Sequence, residues 1–275
     1  IDYLRGKRIG VIGFGVSNQP LVRVLLRNGC DVTVCDRRER AQLGAAGDEA
    51  AEQGTKFALG ADYLGHLDFD VIFRTPGVLP IVPQLRKAAQ NGAILTSEME
   101  AFCNLCPCRI LAITGSDGKT TTSTLVAWLN RGVTGGGSAF LGGISKNFGG
   151  NLVLGAGARL AVEADEFDRS FLRLYPDVAV ITSADADHLD IYGTHEAVKE
   201  AFSQFVRQIR PGGFLIIKEG VDIVLDNPQI TVYRYSYDVP CDFYARNVQL
   251  LEGGHYRYDI VTPGGVVEGL SLIHI

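Results

Sequence analysis

Residues 108–124 read Cys-Arg-Ile-Leu-Ala-Ile-Thr-Gly-Ser-Asp-Gly-Lys-Thr-Thr-Thr-Ser-Thr: an apolar, β-branched run breaks at a glycine turn and continues into a lysine, a cluster of hydroxyls and a helical segment. Strand, glycine loop and helix in that order form a nucleotide-phosphate site. Gly115 and Gly118 let the backbone turn tightly and aim N–H groups at phosphate oxygens, and a helix over 120–130 offers the positive end of its dipole to the same charge. Ser116, Asp117 and Thr121 complete the loop. Lys119 is placed to reach terminal phosphates and Thr120 a bound Mg²⁺. The spacing is shorter than the usual Walker A pattern, since only Gly-x-x-Gly-Lys-Thr is present. The plain alternative is a glycine-bearing strand-to-helix turn with a surface lysine.

Upstream of this loop the pattern is again α/β. Arg8 to Ile12 is apolar, Gly10, Gly13 and Gly15 follow, Pro20 to Arg27 reads as a helix ended by Asn28-Gly29, and Asp31 to Cys35 is a second strand closing on Asp36. Further strands are expected at 70–74 and 93–95, and helices at 39–53 and 83–90. Short connections between alternating elements imply a parallel, doubly wound sheet whose ligands sit at the carboxyl ends of its strands. Downstream, strands are expected at 158–163, 177–183 and 213–218, with a helix from 194 to about 210. After Gly220 the segments 231–237 and 256–261 alternate as in antiparallel β structure. The glycine-rich stretches 132–137 and 142–157 read as loops.

The chain has 275 residues and a net charge of −5, which suits about two domains and argues against binding nucleic acid through a general basic surface. No apolar run approaches a membrane span and no signal peptide opens the chain, so a cytoplasmic protein without membrane attachment is expected. It opens at Ile1 rather than methionine, as a fragment would. Six cysteines include Cys103-x-x-Cys106, but no second pair at zinc spacing follows, so small buried thiols are expected.

The first glycine loop, Gly13-Phe14-Gly15-Val16-Ser17-Asn18, is a dinucleotide fingerprint with its third glycine replaced, and Asp36 stands where such proteins hold a ribose. Arg37 and Arg38 follow at once and suit a phosphorylated ligand better. An NAD(P) oxidoreductase and a tight turn beside a solvated basic loop both stay open. In the second region, Glu163-Ala164-Asp165-Glu166-Phe167-Asp168 and Asp185-Ala186-Asp187-His188-Leu189-Asp190 each follow an apolar strand, on the sheet edge that carries Lys119. A carboxylate and an imidazole can thus meet the nucleotide's metal. His195, in a helix's first turn, is expected to face solvent.

Together these elements resemble the Mur ligases, which attach amino acids to UDP-N-acetylmuramic acid in peptidoglycan assembly. The resemblance rests on Thr114 to Thr121, the Glu163 strand end and Asp187-His188-Leu189-Asp190. It implies a Rossmann-like UDP-sugar-binding domain over 1–107, then a P-loop-type α/β ATP-binding domain over 108–275, incomplete, with the family's C-terminal third domain absent. It implies ATP and Mg²⁺ as cofactors, Lys119, Glu163 and His188 as catalytic residues, and Thr120, Glu163 and His188 as metal ligands. The UDP-sugar would meet Gly13 to Ser17, Asp36 to Arg38, Thr75-Pro76-Gly77 and Ser97-Glu98. The implied partners are a UDP-N-acetylmuramic acid derivative and a small amino acid, joined through an acyl phosphate. Residues 1–130, with Gly-Phe-Gly-Val-Ser and Thr96-Ser97-Glu98-Met99-Glu100, are similar to a D-glutamate-adding member. Residues 138–270, with Glu163 to Phe171, are similar to an L-alanine-adding one. An artificial join near 131–137 is therefore expected, and a foreign tail at 270–275, because Leu270-Ser271-Leu272-Ile273-His274-Ile275 resembles translated adapter DNA more than family sequence. Lys199 lies too near His188 to be the lysine that the D-glutamate-adding member carbamylates. A nucleotide-binding module without turnover is the remaining alternative.

Overall fold

A computed structural model of the chain describes residues 2–15, 18–75, 77–78, 81–133, 135–167 and 169–273. They form two compact units, Ile1–Cys106 and Pro107–Ile275. In the first, β1 (Arg8–Ile12), α1 (Asn18–Arg27), β2 (Asp31–Asp36), α2 (Gly44–Glu52), β3 (Lys56–Leu59), β4 (Val71–Arg74), α3 (Pro83–Gln90), β5 (Ile94–Thr96) and α4 (Glu98–Leu105) follow in order. The strands make an all-parallel sheet in the order β3-β2-β1-β4-β5. Both faces are covered, so the strands are apolar throughout rather than alternating. Ile9, Val11, Val32, Val34 and Phe73 pack on one face with Val22 and Leu25 of α1, while Ile12, Cys35 and Ile72 meet Leu85 and Ala88 of α3 on the other. β1 is the strand where the chain order reverses, and the crevice of a doubly wound sheet opens there. Gly10, in the middle of β1, is required by packing: a Cβ would lie 2.5 Å from the Phe69 ring.

The second unit runs β6 (Arg109–Thr114), α5 (Lys119–Asn130), β7 (Ser138–Ser145), β8 (Gly150–Val153), β9 (Arg159–Glu163), β10 (Val178–Ile181), α6 (Leu189–Tyr192), α7 (His195–Arg207), β11 (Phe214–Lys218), β12 (Thr231–Ser236), β13 (Phe243–Leu251), β14 (His255–Thr262) and β15 (Gly265–Ile273). They form one sheet in the order β15-β14-β13-β12-β11-β10-β6-β9-β7-β8. The mixed α/β fold with parallel sheets is the expected class. β6 lies between β9 and β10, parallel to both, so three strand ends of distant sequence converge beside the phosphate loop. Ile113, Ala127, Ala139, Leu141, Ala161 and Val180 pack together under α5. The Phe171 ring, centroid 5.4 Å from that of Phe202 and 5.1 Å from that of Phe205, seats α7.

Two expectations fail here. The stretch 142–157 is not all loop: its first residues finish β7 and its middle forms β8, antiparallel to it. Gly142 and Gly155 there mark close approach to another group, while Gly149 (φ 69°) belongs to the turn between β7 and β8. The region after Gly220 is not uniformly antiparallel either, because β12 pairs parallel with β11 and with the start of β13, and only β13 to β15 run as a meander.

Candidate functional site

The phosphate loop is built by strand ends on both sides of β6. Gly115 (φ 134°) and Gly118 (φ 80°) take backbone conformations that favour glycine, and Gly118 precedes the first residue of α5. A Cβ on Gly115 would meet the Thr182 hydroxyl and the Ser183 main chain, so position 115 has no room for a side chain. Thr182 donates its hydroxyl toward the carbonyls of Thr114, at 3.1 Å, and Asp117. Ser183 Oγ accepts the Asp117 N–H at 2.9 Å, and Ser116 Oγ accepts the Asp185 N–H at 2.9 Å. The segment after β10 is therefore a wall that holds the loop open. Sequence reasoning missed Thr182 and Ser183; the available signal was two hydroxyls directly past an apolar strand on the lysine's edge.

Lys119 Nζ donates to the Gly115 carbonyl at 2.8 Å and to Glu166 Oε1 at 2.7 Å. Glu166 is buried, and desolvation raises its pKa against the opposing hydrogen bond from Lys119. Among the described acids of this segment, Glu163, Asp165 and Glu166, it is the one that engages the lysine, a distinction the spacing alone did not make.

Glu163, ending β9, accepts the Gly142 N–H at 2.8 Å, the Thr120 hydroxyl at 3.1 Å and the Ser123 hydroxyl at 3.4 Å. A Cβ on Gly142 would lie 2.2 Å from its carboxylate, which explains the glycine in β7. Thr120 and Thr121 open α5 and are exposed. His188 (φ 54°) precedes α6; its Nε2 lies 3.7 Å from Glu166 and 3.5 Å from Asp187, and its ring meets Phe167 edge-on at 5.0 Å. The structure thus joins Thr120 to Glu163 and His188 to Glu166, rather than Glu163 to His188 directly. A hydroxyl and a carboxylate beside a phosphate loop are the hard oxygen donors that Mg²⁺ takes with one or two carboxylates and nucleotide oxygens, so these residues fit that ion. Among the described residues no group of three or more His, Cys, Asp and Glu side chains converges as a self-sufficient metal cage. Neither Cys103 nor Cys106 belongs to one, and burial pushes the Cys103 thiol up to about 12.

His195 does not simply face solvent. Its Nε2 is 2.9 Å from the Ala184 carbonyl, beside a cavity of about 280 Å³ lined also by Lys199, Lys218 and Asp222. Lys199 is held by Asp222 at 2.6 Å.

In the first unit, the loop after β1 is closed by charge. Gly13 (φ 81°) packs on Thr75, which follows β4, and Asn18, replacing the third glycine, donates Nδ2 to the carbonyls of Ile12 and Gly13. Asp36 accepts the Phe14 N–H at 2.7 Å and three Arg38 donors at 2.8–3.0 Å, and Arg38 also donates to the Phe14 carbonyl. Burial alone would raise the Asp36 pKa, but Arg38 and these N–H groups outweigh it and hold it at about 2. Asp36 and Arg38 are thus committed to each other, the Phe14 side chain lies in the core, and Arg37 is exposed. Ser97 is spent capping α4, accepting the Glu100 N–H at 3.2 Å, and Glu98 is raised by burial. Gly15 and Gly77 are exposed. Val16, Ser17 and Pro76 lie outside the described residues.

The Mur ligase middle domain family matches residues 113–269. A UDP-N-acetylmuramoylalanine--D-glutamate ligase of Ruminiclostridium cellulolyticum is 41% identical over 208 residues, 72% of this chain and 42% of that protein. A UDP-N-acetylmuramate--L-alanine ligase of Phocaeicola vulgatus is 36% identical over 272 residues, 96% of this chain and 58% of that protein. The chain spans about half the length of the curated relatives it matches. The crystal structure of a UDP-N-acetylmuramate:L-alanyl-gamma-D-glutamyl-meso-diaminopimelate ligase from Neisseria meningitides superimposes with a TM-score of 0.66 at 20% identity, covering 94% of this chain and 85% of that one, which is a likeness of fold.

Proposed function

The chain belongs to the Mur ligase family, and from that premise we propose that it carries the UDP-sugar-binding and ATP-binding domains of a cytoplasmic, ATP-dependent amino-acid ligase that adds D-glutamate to UDP-N-acetylmuramoyl-L-alanine. The observation that carries the reading is the phosphate loop itself: Lys119 held against the Gly115 carbonyl and Glu166, Thr120 bonded to Glu163, and His188 beside Glu166. In the proposed reaction the substrate carboxylate attacks the γ-phosphate of ATP, breaking its bond to the bridging oxygen and releasing ADP, and the amino acid's amine then attacks the acyl carbon, displacing inorganic phosphate and losing a proton as the amide forms. Phosphoryl transfer is mostly electrostatic work, so the loop N–H groups and the Lys119 ammonium hold the transferring phosphoryl where its charge grows. Thr120, Glu163 and His188 would hold Mg²⁺, which supplies charge neutralisation at the phosphate oxygens when bound. The first unit's substrate role falls on Gly13, Gly15, Thr75, Gly77 and Arg37 at the strand ends, with Asp36 and Arg38 shaping the loop from behind.

Addition of L-alanine to UDP-N-acetylmuramic acid is the second reading. It is favoured by a likeness to the L-alanine ligase that extends over 96% of the chain, and by Lys199, whose pairing with Asp222 leaves it committed. Calorimetry with UDP-N-acetylmuramic acid and with its L-alanyl derivative separates the two. Lys119→Ala tests the common core: it should abolish binding of the ATP analogue AMP-PNP in a chain that still melts cooperatively, at a lower temperature because Glu166 loses its buried partner, and unchanged affinity would sink both readings.

A further inference from the structure

Glu166 lies three residues past β9 and is 2% exposed. A carboxylate at that depth must be paired, and this one is fixed twice. Its carbonyl accepts the Tyr192 hydroxyl at 2.6 Å and the Arg169 N–H at 3.0 Å. Its Oε2 is 3.5 Å from the Thr114 hydroxyl, while Oε1 takes the Lys119 ammonium at 2.7 Å and sits 3.7 Å from His188 Nε2. Lys119 is the more exposed partner, its side chain 15% accessible against 2% for Glu166.

An ammonium has three donors. Glu166 and the Gly115 carbonyl take two, which aims the third along a direction set by the protein. Lysine is a flexible side chain whose ordering otherwise falls on the binding step, and a side chain ordered beforehand spares the ligand that cost. The acceptor oxygen that achieves this belongs to the less accessible partner, so an incoming phosphate meets the ammonium before the carboxylate. We propose that Glu166 is a positioning residue of the nucleotide site: by gathering Lys119 Nζ and His188 Nε2 on one buried carboxylate oxygen, it presets the cation that meets the phosphates and the imidazole beside it. The proposal rests on the reading of this loop as a nucleotide site and names what makes it competent before ligand arrives.

The test uses the whole chain, AMP-PNP with Mg²⁺ in calorimetry, and ¹⁵N-detected lysine ammonium resonances, with Lys119→Ala assigning the signal. The free wild-type chain should show a Lys119 ammonium protected from exchange. Glu166→Ala should lose that protection and bind AMP-PNP at least tenfold more weakly, whereas Glu166→Gln, which keeps an acceptor oxygen of the same reach, should keep the signal and stay within about threefold. A Glu166→Ala chain with wild-type or tighter affinity overturns the proposal, the tighter case because the carboxylate would then be competing with phosphate. If Glu166→Ala fails to melt cooperatively, Glu166→Asp decides: one methylene shorter, it should lose the protected signal and at least fivefold in affinity, and retention of both overturns the idea. Failure of the nucleotide reading looks different, since Lys119→Ala would then bind AMP-PNP as well as wild type.

Discussion

Neutralising Asp36 should destabilise the first unit by about 2 kcal/mol at pH 7, and the loss should disappear in acid. The carboxylate side chain is 7% exposed and accepts four hydrogen bonds, three of them from Arg38. Burial pushes its pKa up, Arg38 and the Phe14 N–H pull it down further, and the outcome is about 2 against an ordinary 3.8. At about 1.4 kcal/mol per unit, a gap of nearly two units is worth about 2.5 kcal/mol, trimmed because the guanidinium's outer side is solvated. The sign follows from which state holds the proton more loosely. The folded pKa is depressed, so the contribution is fully present above about pH 4 and is lost as pH falls through about 2. Urea unfolding of wild type and Asp36→Asn should therefore differ at pH 7 and converge toward pH 2, and a ¹³C carboxyl titration should find Asp36 still ionised at pH 3. An Asp36 that titrates near 3.8, or a stability difference that does not change with pH, would refute the reasoning. The same measurement bears on the dinucleotide alternative, because a carboxylate saturated by the protein has little left to offer a ribose.

Three further substitutions address the remaining parts of the two loops. Gly142→Ala places a methyl 2.2 Å from the Glu163 carboxylate; it should raise the Mg²⁺ concentration needed for half-maximal AMP-PNP binding at least tenfold, and an unchanged Mg²⁺ requirement would remove Glu163 from the metal site. Thr182→Val keeps the shape but deletes the hydroxyl that bridges the Thr114 and Asp117 carbonyls, which should cost about 1–3 kcal/mol of stability and weaken AMP-PNP in parallel, as read by urea unfolding and calorimetry. Arg37→Ala, the exposed member of its pair, should weaken binding of whichever ligand the wild type takes, UDP-N-acetylmuramic acid or its L-alanyl derivative, by about 1.5–3 kcal/mol and leave AMP-PNP binding as it was; the opposite pattern in calorimetry would mean that the two glycine loops have been given the wrong ligands.

Elements whose ends carry their own chemistry were legible from sequence. α3 begins at Pro83 and stops before Asn91-Gly92, and α5 starts at the lysine after Gly118, because proline and glycine act locally. β7 and β8 were not, since Gly142 of β7 stands against the Glu163 carboxylate and Gly155, two residues past β8, against the Gly136–Gly137 main chain, neighbours visible only once the sheet is assembled. The candidate site shows the same division. Lys119, Glu163 and His188 stand out by residue type after apolar strands, but which acid takes the lysine depends on side-chain direction beyond β9, and spacing does not encode it. Arg38 looked like a ligand group and proved to be the counter-ion of Asp36, two residues away.

The wall of the phosphate loop has a consequence for how the protein is made. Thr182, Ser183 and Asp185 contact partners 65 to 69 residues earlier in the chain. At about 5–20 residues per second, a ribosome delivers Lys119 roughly 3 to 13 seconds before the residues that shape its loop. During that interval β6 can pair with β9 but not with β10, and such long-range parallel pairing is intrinsically slow to form. A nascent chain stalled before residue 182 should therefore have no working nucleotide pocket, however complete its glycine loop looks on paper. ATP cannot template the early folding of this unit; it can only select chains in which the tenth strand has already docked.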